Sequence, residues 1–284
     1  MSKYLAAIWK CRYFWLSLAR SDLRTRYRRS VLGIAWSLLQ PIAMTAILCA
    51  VFHTVFKMNV REYAPSLMVG MCFWNFITAV TLQGGQCLFQ GEAYIRQYPA
   101  PLAIYPLRTV LVASFHFTIS LIVSIVLRAI LQGYGSFAEL PAYIPNRYKM
   151  LYSFVQMFDN ISALPALIPA LLLLIMFGWA LAVLSGFLTA YFADMQHLSE
   201  VGLQMPFYGT PIIYPASTLR DRGLGWLIDC NPLAVILQLL RDPILAGTIP
   251  PPGAYGIALL TVSIVTCMAV VALARLQETI IFQL

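Results

Sequence analysis

Six stretches of this chain, 30–56, 63–91, 109–127, 160–193, 201–219 and 243–274, contain no Asp, Glu, Lys or Arg. Each reaches the roughly 17–25 residues that carry a helix across about 30 Å of hydrocarbon. In lipid the backbone must satisfy its own hydrogen bonds, and period-2 alternation is absent, so helices rather than a β-barrel are expected. The expected fold is therefore all-α and integral to a membrane. Six transmembrane helices fall at about 31–56, 64–83, 109–131, 164–191, 199–215 and 254–275, after an N-terminal segment 1–30. Composition agrees: 60% of residues are hydrophobic and 11% charged, against about 45–50% and about 25% in soluble domains. A soluble globule, a disordered chain and a disulfide scaffold are excluded. The six cysteines are scattered without a close pair, which suits small apolar packing residues rather than a metal site.

The net charge of +8 is uneven. Residues 1–30 hold eight basic side chains against Asp22 alone, a net of +7, which leaves +1 for the other 254 residues. Residues 4–20 place Leu5, Trp9, Tyr13 and Leu16 on one helical face and Lys3, Lys10 and Ser17 on another. That is the pattern of an amphipathic helix lying in the membrane interface. Arg20, Arg24, Arg26, Arg28 and Arg29 stand directly before the first span, so the N-terminus is expected to be cytoplasmic, and six crossings return the C-terminus there. The basic excess serves anionic lipid headgroups rather than nucleic acid.

The connections carry the remaining signals. In 84–108 the pair Gly84-Gly85 is expected to break the helix, and Pro99, Pro101 and Pro106 to prevent its continuation. Between them, 86–98 forms a short helix with Gln90, Glu92 and Arg96, read either as a docking lever or as a solvated loop. The external connection 133–163 carries an amphipathic stretch at 147–160. Arg128 is expected to snorkel to the external interface. Pro206, Pro211 and Pro215 punctuate the fifth span, and the apolar stretch from Asn231 to Leu245 is too short to cross, which fits a re-entrant or interfacial segment.

No phosphate-binding loop of the form GxxxxGK[ST], HExxH, GxSxG or CxxC occurs, so ATP hydrolysis by that loop is excluded. His53, His116 and His197 are far apart, and none of the spans has an acid near its middle, which disfavours ion-coupled transport. Trp36, Phe52, Phe207, Tyr208 and Tyr214 lie on the first and fifth spans. Aromatic rings offer stacking surfaces for sugar C–H faces, and the same residues also suit an interfacial aromatic belt. Asp194, His197 and Glu200 fall at i, i+3, i+6. They read as a polar elbow between spans, with a membrane enzyme acting on lipid-linked sugars as the alternative.

Three stretches in order resemble the permease subunits of ABC-type polysaccharide exporters, of the O-antigen and teichoic-acid type. In 21–42 the match rests on Asp22, Arg26, Tyr27, Leu32, Gly33, Trp36, Leu39 and Pro41. In 191–215 it rests on Asp194, Pro211, Tyr214 and Pro215, with Ala193 where the family often has Arg. Asn231, Pro232 and Arg241 carry the third. The resemblance implies a non-enzymatic subunit that pairs with itself and with two copies of a separate ATPase. ATP and Mg would bind that partner, with no cofactor in this chain. It further implies a bacterial inner-membrane location, a coupling helix at 86–98, external re-entrant helices, and a lipid-linked polysaccharide passing along the first and fifth spans. A permease of the same fold exporting a lipid or drug is the other reading.

Overall fold

The computed structural model describes residues 2–28, 30, 33–97, 100–139 and 161–280; these form helices joined by short connections, with no strand among them. Helices α1 (Ser2–Lys10) and α2 (Arg12–Tyr27) precede α3 (Trp36–Phe56), α4 (Val60–Gln97) and α5 (Ile104–Glu139). They are followed by α6 (Leu167–Tyr191), the short α7 (Met195–Gly202), α8 (Gln204–Gly209), α9 (Ala216–Arg220) and α10 (Trp226–Asp229), then α11 (Pro232–Arg241) and α12 (Pro252–Leu276). Among the described residues, five helical stretches are long and apolar enough to cross a membrane: 36–55, 60–97, 104–131, 162–191 and 252–276. The expected amphipathic stretch 147–160 lies outside the described residues.

Helix α4 is the centre of the bundle. Two-thirds of its apolar window is buried, against 17% for α3, and Leu67, Val69, Phe73 and Val80 are fully enclosed. The difference follows from placement, because α4 packs against α3, α5 and α6 while α3 keeps one face open. Exposed Ile47, Val51 and Val55 on α3, and Leu260, Ile264 and Met268 on α12, form the apolar outer surface that a lipid solvent favours.

The structure corrects four expectations. Gly84-Gly85 does not break the helix: α4 runs unbroken from Val60 to Gln97, so 86–97 is its last three turns rather than a separate piece. Both glycines are buried, and a Cβ on Gly84 would lie 2.6 Å from the Ala182 Cα of α6, so they permit helix contact. The stretch 199–215 is not one helix. It forms α7 and α8 and then, after Gly209, a non-helical run from Thr210 to Pro215. Arg128 does not snorkel; it is 7% exposed, because it shares the inward face of α5 with buried Leu121 and Ser124. The interfacial stripe is shifted as well. Trp9 and Tyr13 are exposed as expected, while Tyr4, Ile8, Phe14 and Trp15 dock α1 and α2 on the bundle.

Segment 195–215 lies along α4. The Gln86 amide donates to Gln196 Oε1 at 3.3 Å, Trp74 packs on Phe207 at 5.3 Å, and the Tyr63 hydroxyl donates to the Ile213 carbonyl at 2.6 Å. From Gln86 to Tyr63 α4 spans 23 residues, about 35 Å at 1.5 Å per residue.

Candidate functional site

The polar residues of α4 gather on one face. Asn75, Thr78, Leu82 and Gln83 share it at helical spacing, next to Ala79. Opposite stand Trp36, Ser37 and Gln40 from the first turns of α3, and His116 and Ser120 from α5. Together with Arg26 and Tyr27 at the end of α2 they enclose a cavity of about 450 Å³. Gly33 makes this arrangement possible, because its φ of +51° turns the chain from α2 into α3 in a conformation that disfavours a side chain. Buried Pro41 follows inside α3.

Two further cavities adjoin the first. One of about 320 Å³ shares Gln40, Asn75, Thr78 and Leu82 and adds Glu200, Gln204, Phe207 and Tyr208. The other, of about 330 Å³, shares Arg26 and Gln83 and adds Asp22, Thr25, Gln90 and Thr109. Through these shared walls a groove with polar side chains set in a mostly apolar lining follows α4 from Gln90, at the end of the bundle where α2 lies, to Tyr208.

The N-terminal helices are tied firmly to this groove. Arg108 grips Asp22 with both Nε and Nη2, and the two side chains are 13% and 31% exposed. Five residues on, the Tyr27 hydroxyl pairs with His116 Nδ1 at 2.8 Å. At the other end of the segment, the Ala103 N–H donates to the Tyr4 hydroxyl at 3.3 Å, and burial raises that phenol above its usual pKa. Breaking a two-pronged, half-buried ion pair strands one charge. Arg108→Ala and Asp22→Ala are therefore each expected to cost about 2 kcal/mol. The double variant should cost less than the sum of the two, as read by thermal denaturation in detergent; strict additivity would mean that the pair contributes nothing.

The aromatic residues singled out from the sequence are dispersed. Trp36 lines the first cavity, and Phe207 and Tyr208 the second. Phe52 instead stacks on Tyr63, ring centroids 5.5 Å apart, and the Tyr214 hydroxyl donates to the Tyr208 carbonyl at 2.8 Å. At the end of α4, Arg96 Nε meets Glu92 at 2.9 Å in an exposed i, i+4 pair, while Gln90 lines the third cavity.

The motif residues have local tasks. Asn231 caps α11 by accepting from the Leu233 N–H at 2.9 Å, with Pro232 in the first turn, and its amide donates to Thr210 Oγ1 at 3.0 Å. Buried Pro211 offers its carbonyl to Arg241. Asp194 and Pro215 stand at the N-terminal boundaries of α7 and α9. Sequence reasoning passed over Gln40, Asn75, Gln83 and Arg108. The first three carried a usable signal, as isolated amides within charge-free windows.

A family model for the ABC-2 type transporter matches residues 13–245, which takes in the α2 clamp, the groove along α4 and the Asn231–Arg241 helix. The chain belongs to the ABC-2 type transporter family. This ABC-2 chain is 22% identical over 232 residues to an O-antigen export system permease protein RfbA of Klebsiella pneumoniae, covering 82% of the chain and 80% of that protein. A second RfbA permease of that species is 23% identical over the same coverage. The RfbA permease of Myxococcus xanthus is 22% identical over 238 residues, 84% of the chain and 82% of that protein. As an ABC-2 permease with five long apolar helices, it is a multi-pass membrane protein and a transport subunit.

Proposed function

We propose that this chain is the permease subunit of an ATP-driven exporter that moves an O-antigen-type, lipid-linked polysaccharide out of the cytoplasm. The observation that supports it most is the likeness, over more than four-fifths of the chain, to three permeases named for O-antigen export. A groove that combines amide side chains with the apolar and aromatic surface of Trp36, Phe207 and Tyr208 suits a hydroxyl-rich cargo with apolar ring faces.

In this reading residues 1–30 are the interface unit and 31–284 the transmembrane unit, in a bacterial inner membrane with both termini cytoplasmic. Segment 195–215 is the sixth crossing, part helix and part extended chain, and 216–246 is re-entrant from the outer side. The last turns of α4, with Gln90, Glu92 and Arg96, dock on a separate ATPase present in two copies, which binds ATP and Mg. A second copy of the chain completes the conduit along α3 and 195–209. Force at those turns reaches the groove through Arg108 and Asp22, because α5 starts just after the docking turn and α2 is clamped to it.

Deletion of the gene is the test. Surface polysaccharide should be lost and its lipid-linked form should accumulate on the cytoplasmic face. Intact surface glycan in the deletion strain would overturn the reading.

A further inference from the structure

The first cavity, although its wall is mostly apolar, also presents amide and hydroxyl groups. Gln40, Asn75 and Gln83 all line it, Gln40 exposed and the other two half-buried, and none makes a side-chain hydrogen bond among the described residues. Thr78 Oγ1 is buried without a partner as well, although Thr81, three residues on, returns its hydroxyl to the Ile77 carbonyl at 2.8 Å. A buried polar group left unpaired costs about 1–3 kcal/mol. Thr78 Oγ1 is such a group, and the amides of Gln40, Asn75 and Gln83 beside it add further donors and acceptors to the same space, which therefore suits a polar occupant.

The wall narrows what that occupant is. Among the described residues no carboxylate lines the cavity, so a metal ion or an ammonium group would meet no counter-charge there. Arg26 is the one charged lining residue among those described. Side-chain amides donate and accept at once, as do the hydroxyls of a sugar. Trp36 presents an aromatic surface, and about 450 Å³ lies in the range of small-molecule sites.

We infer that this cavity, enclosed by α2, α3, α4 and α5 of a single subunit, is a binding subsite for one uncharged sugar residue. Gln40, Asn75 and Gln83 take its hydroxyls and Trp36 takes its C–H face. The subsite rests on the exporter reading for its purpose, since it would hold one residue of the passing glycan. Its geometry belongs to one chain and needs no second copy.

The test uses the full chain in lipid nanodiscs. Saturation-transfer NMR is recorded with free glucose, galactose and N-acetylglucosamine, and with glucuronic acid as the charged counterpart. At least one neutral sugar should receive transfer. Asn75→Leu and Gln40→Leu should each weaken it at least tenfold while melting with the wild type. Thr78→Val, nearly isosteric, removes only the orphan hydroxyl and should weaken binding about threefold, which keeps the test open if the amide variants misfold. No transfer to any neutral sugar, transfer unchanged in all three variants, or preference for glucuronic acid would each overturn the subsite. These outcomes are separable from failure of the exporter reading. A deletion strain lacking surface glycan, together with a cavity that binds no sugar, sinks the subsite alone; sugar binding together with intact surface glycan sinks the exporter reading alone.

Discussion

Gly84→Leu is expected to abolish the folded bundle, and Gly84→Ala to destabilise it by about 1–3 kcal/mol. The added Cβ would lie 2.6 Å from the Ala182 Cα and 3.0 Å from Ser185 Oγ. The contact is reciprocal, because a Cβ on Gly186 of α6 would lie 3.0 Å from the Gly84 carbonyl oxygen. Between these points Ser185 Oγ donates to the Thr81 carbonyl at 2.8 Å. Helix association in lipid depends on such close backbone approach, since lipid tails are as apolar as the side chains they would replace. Helix propensity opposes the effect, favouring alanine over glycine by about 1 kcal/mol. Room decides the sign: Ala182 Cα is backbone and cannot rotate aside as the tip of a side chain can. Gly256 on α12 has nothing within 4 Å, so Gly256→Ala should be neutral or stabilise by up to about 1 kcal/mol. Thermal unfolding followed by size-exclusion fluorescence would resolve the pair. A Gly84→Ala protein melting at or above wild type would show that α4 and α6 are not held in this register.

The same glycines show where sequence reading stops. Gly84-Gly85 reads as a helix break under rules for helices facing water, and its partner Ala182 stands 98 positions away. Only the fold reveals that the missing side chains are room for another backbone. Five expected spans coincide with apolar helices because absence of charge over such lengths leaves the chain one stable form in lipid. The window 201–219 is equally free of charge, yet Pro206, Pro211 and Pro215 interrupt its hydrogen-bond ladder, which counting residues does not register. The site behaved similarly. Trp36, Phe207 and Tyr208 were visible as residue types, but α4 contributes amides whose shared face appears only when Asn75, Thr78, Leu82 and Gln83 are placed on a helix. The Asp22–Arg108 clamp joins positions 86 apart, beyond any local pattern.

Arg241→Leu is expected to cost about 3 kcal/mol or more, because it leaves three carbonyls unpaired at about 1–3 kcal/mol each. After Gly209 the chain through 210–215 has no helical ladder, and its carbonyls still need donors in a medium that supplies none. Arg241 provides them. Nη1 donates to the Pro211 carbonyl, and Nη2 donates to Ile212 at 3.1 Å and to Ser66 of α4 at 3.0 Å. Gly70 makes room for this guanidinium, since a Cβ there would sit 2.6 Å from Nη2. Tyr63 adds one bond to the Ile213 carbonyl, so Tyr63→Phe should cost only about 1 kcal/mol. Arg241→Lys should fall between the two, because an ammonium can donate several bonds but lacks the planar fork that reaches three carbonyls at once. Release of 210–215 should also free the segment that follows. Exposed Arg220 and Arg222 should then be cut faster by trypsin in Arg241→Leu than in Tyr63→Phe, with protein in nanodiscs. Equal cleavage rates and equal melting temperatures for the three variants and the wild type would mean that the extended stretch is held by something other than Arg241. The order Leu, Lys, then Tyr63→Phe follows from the number of carbonyls each leaves unpaired.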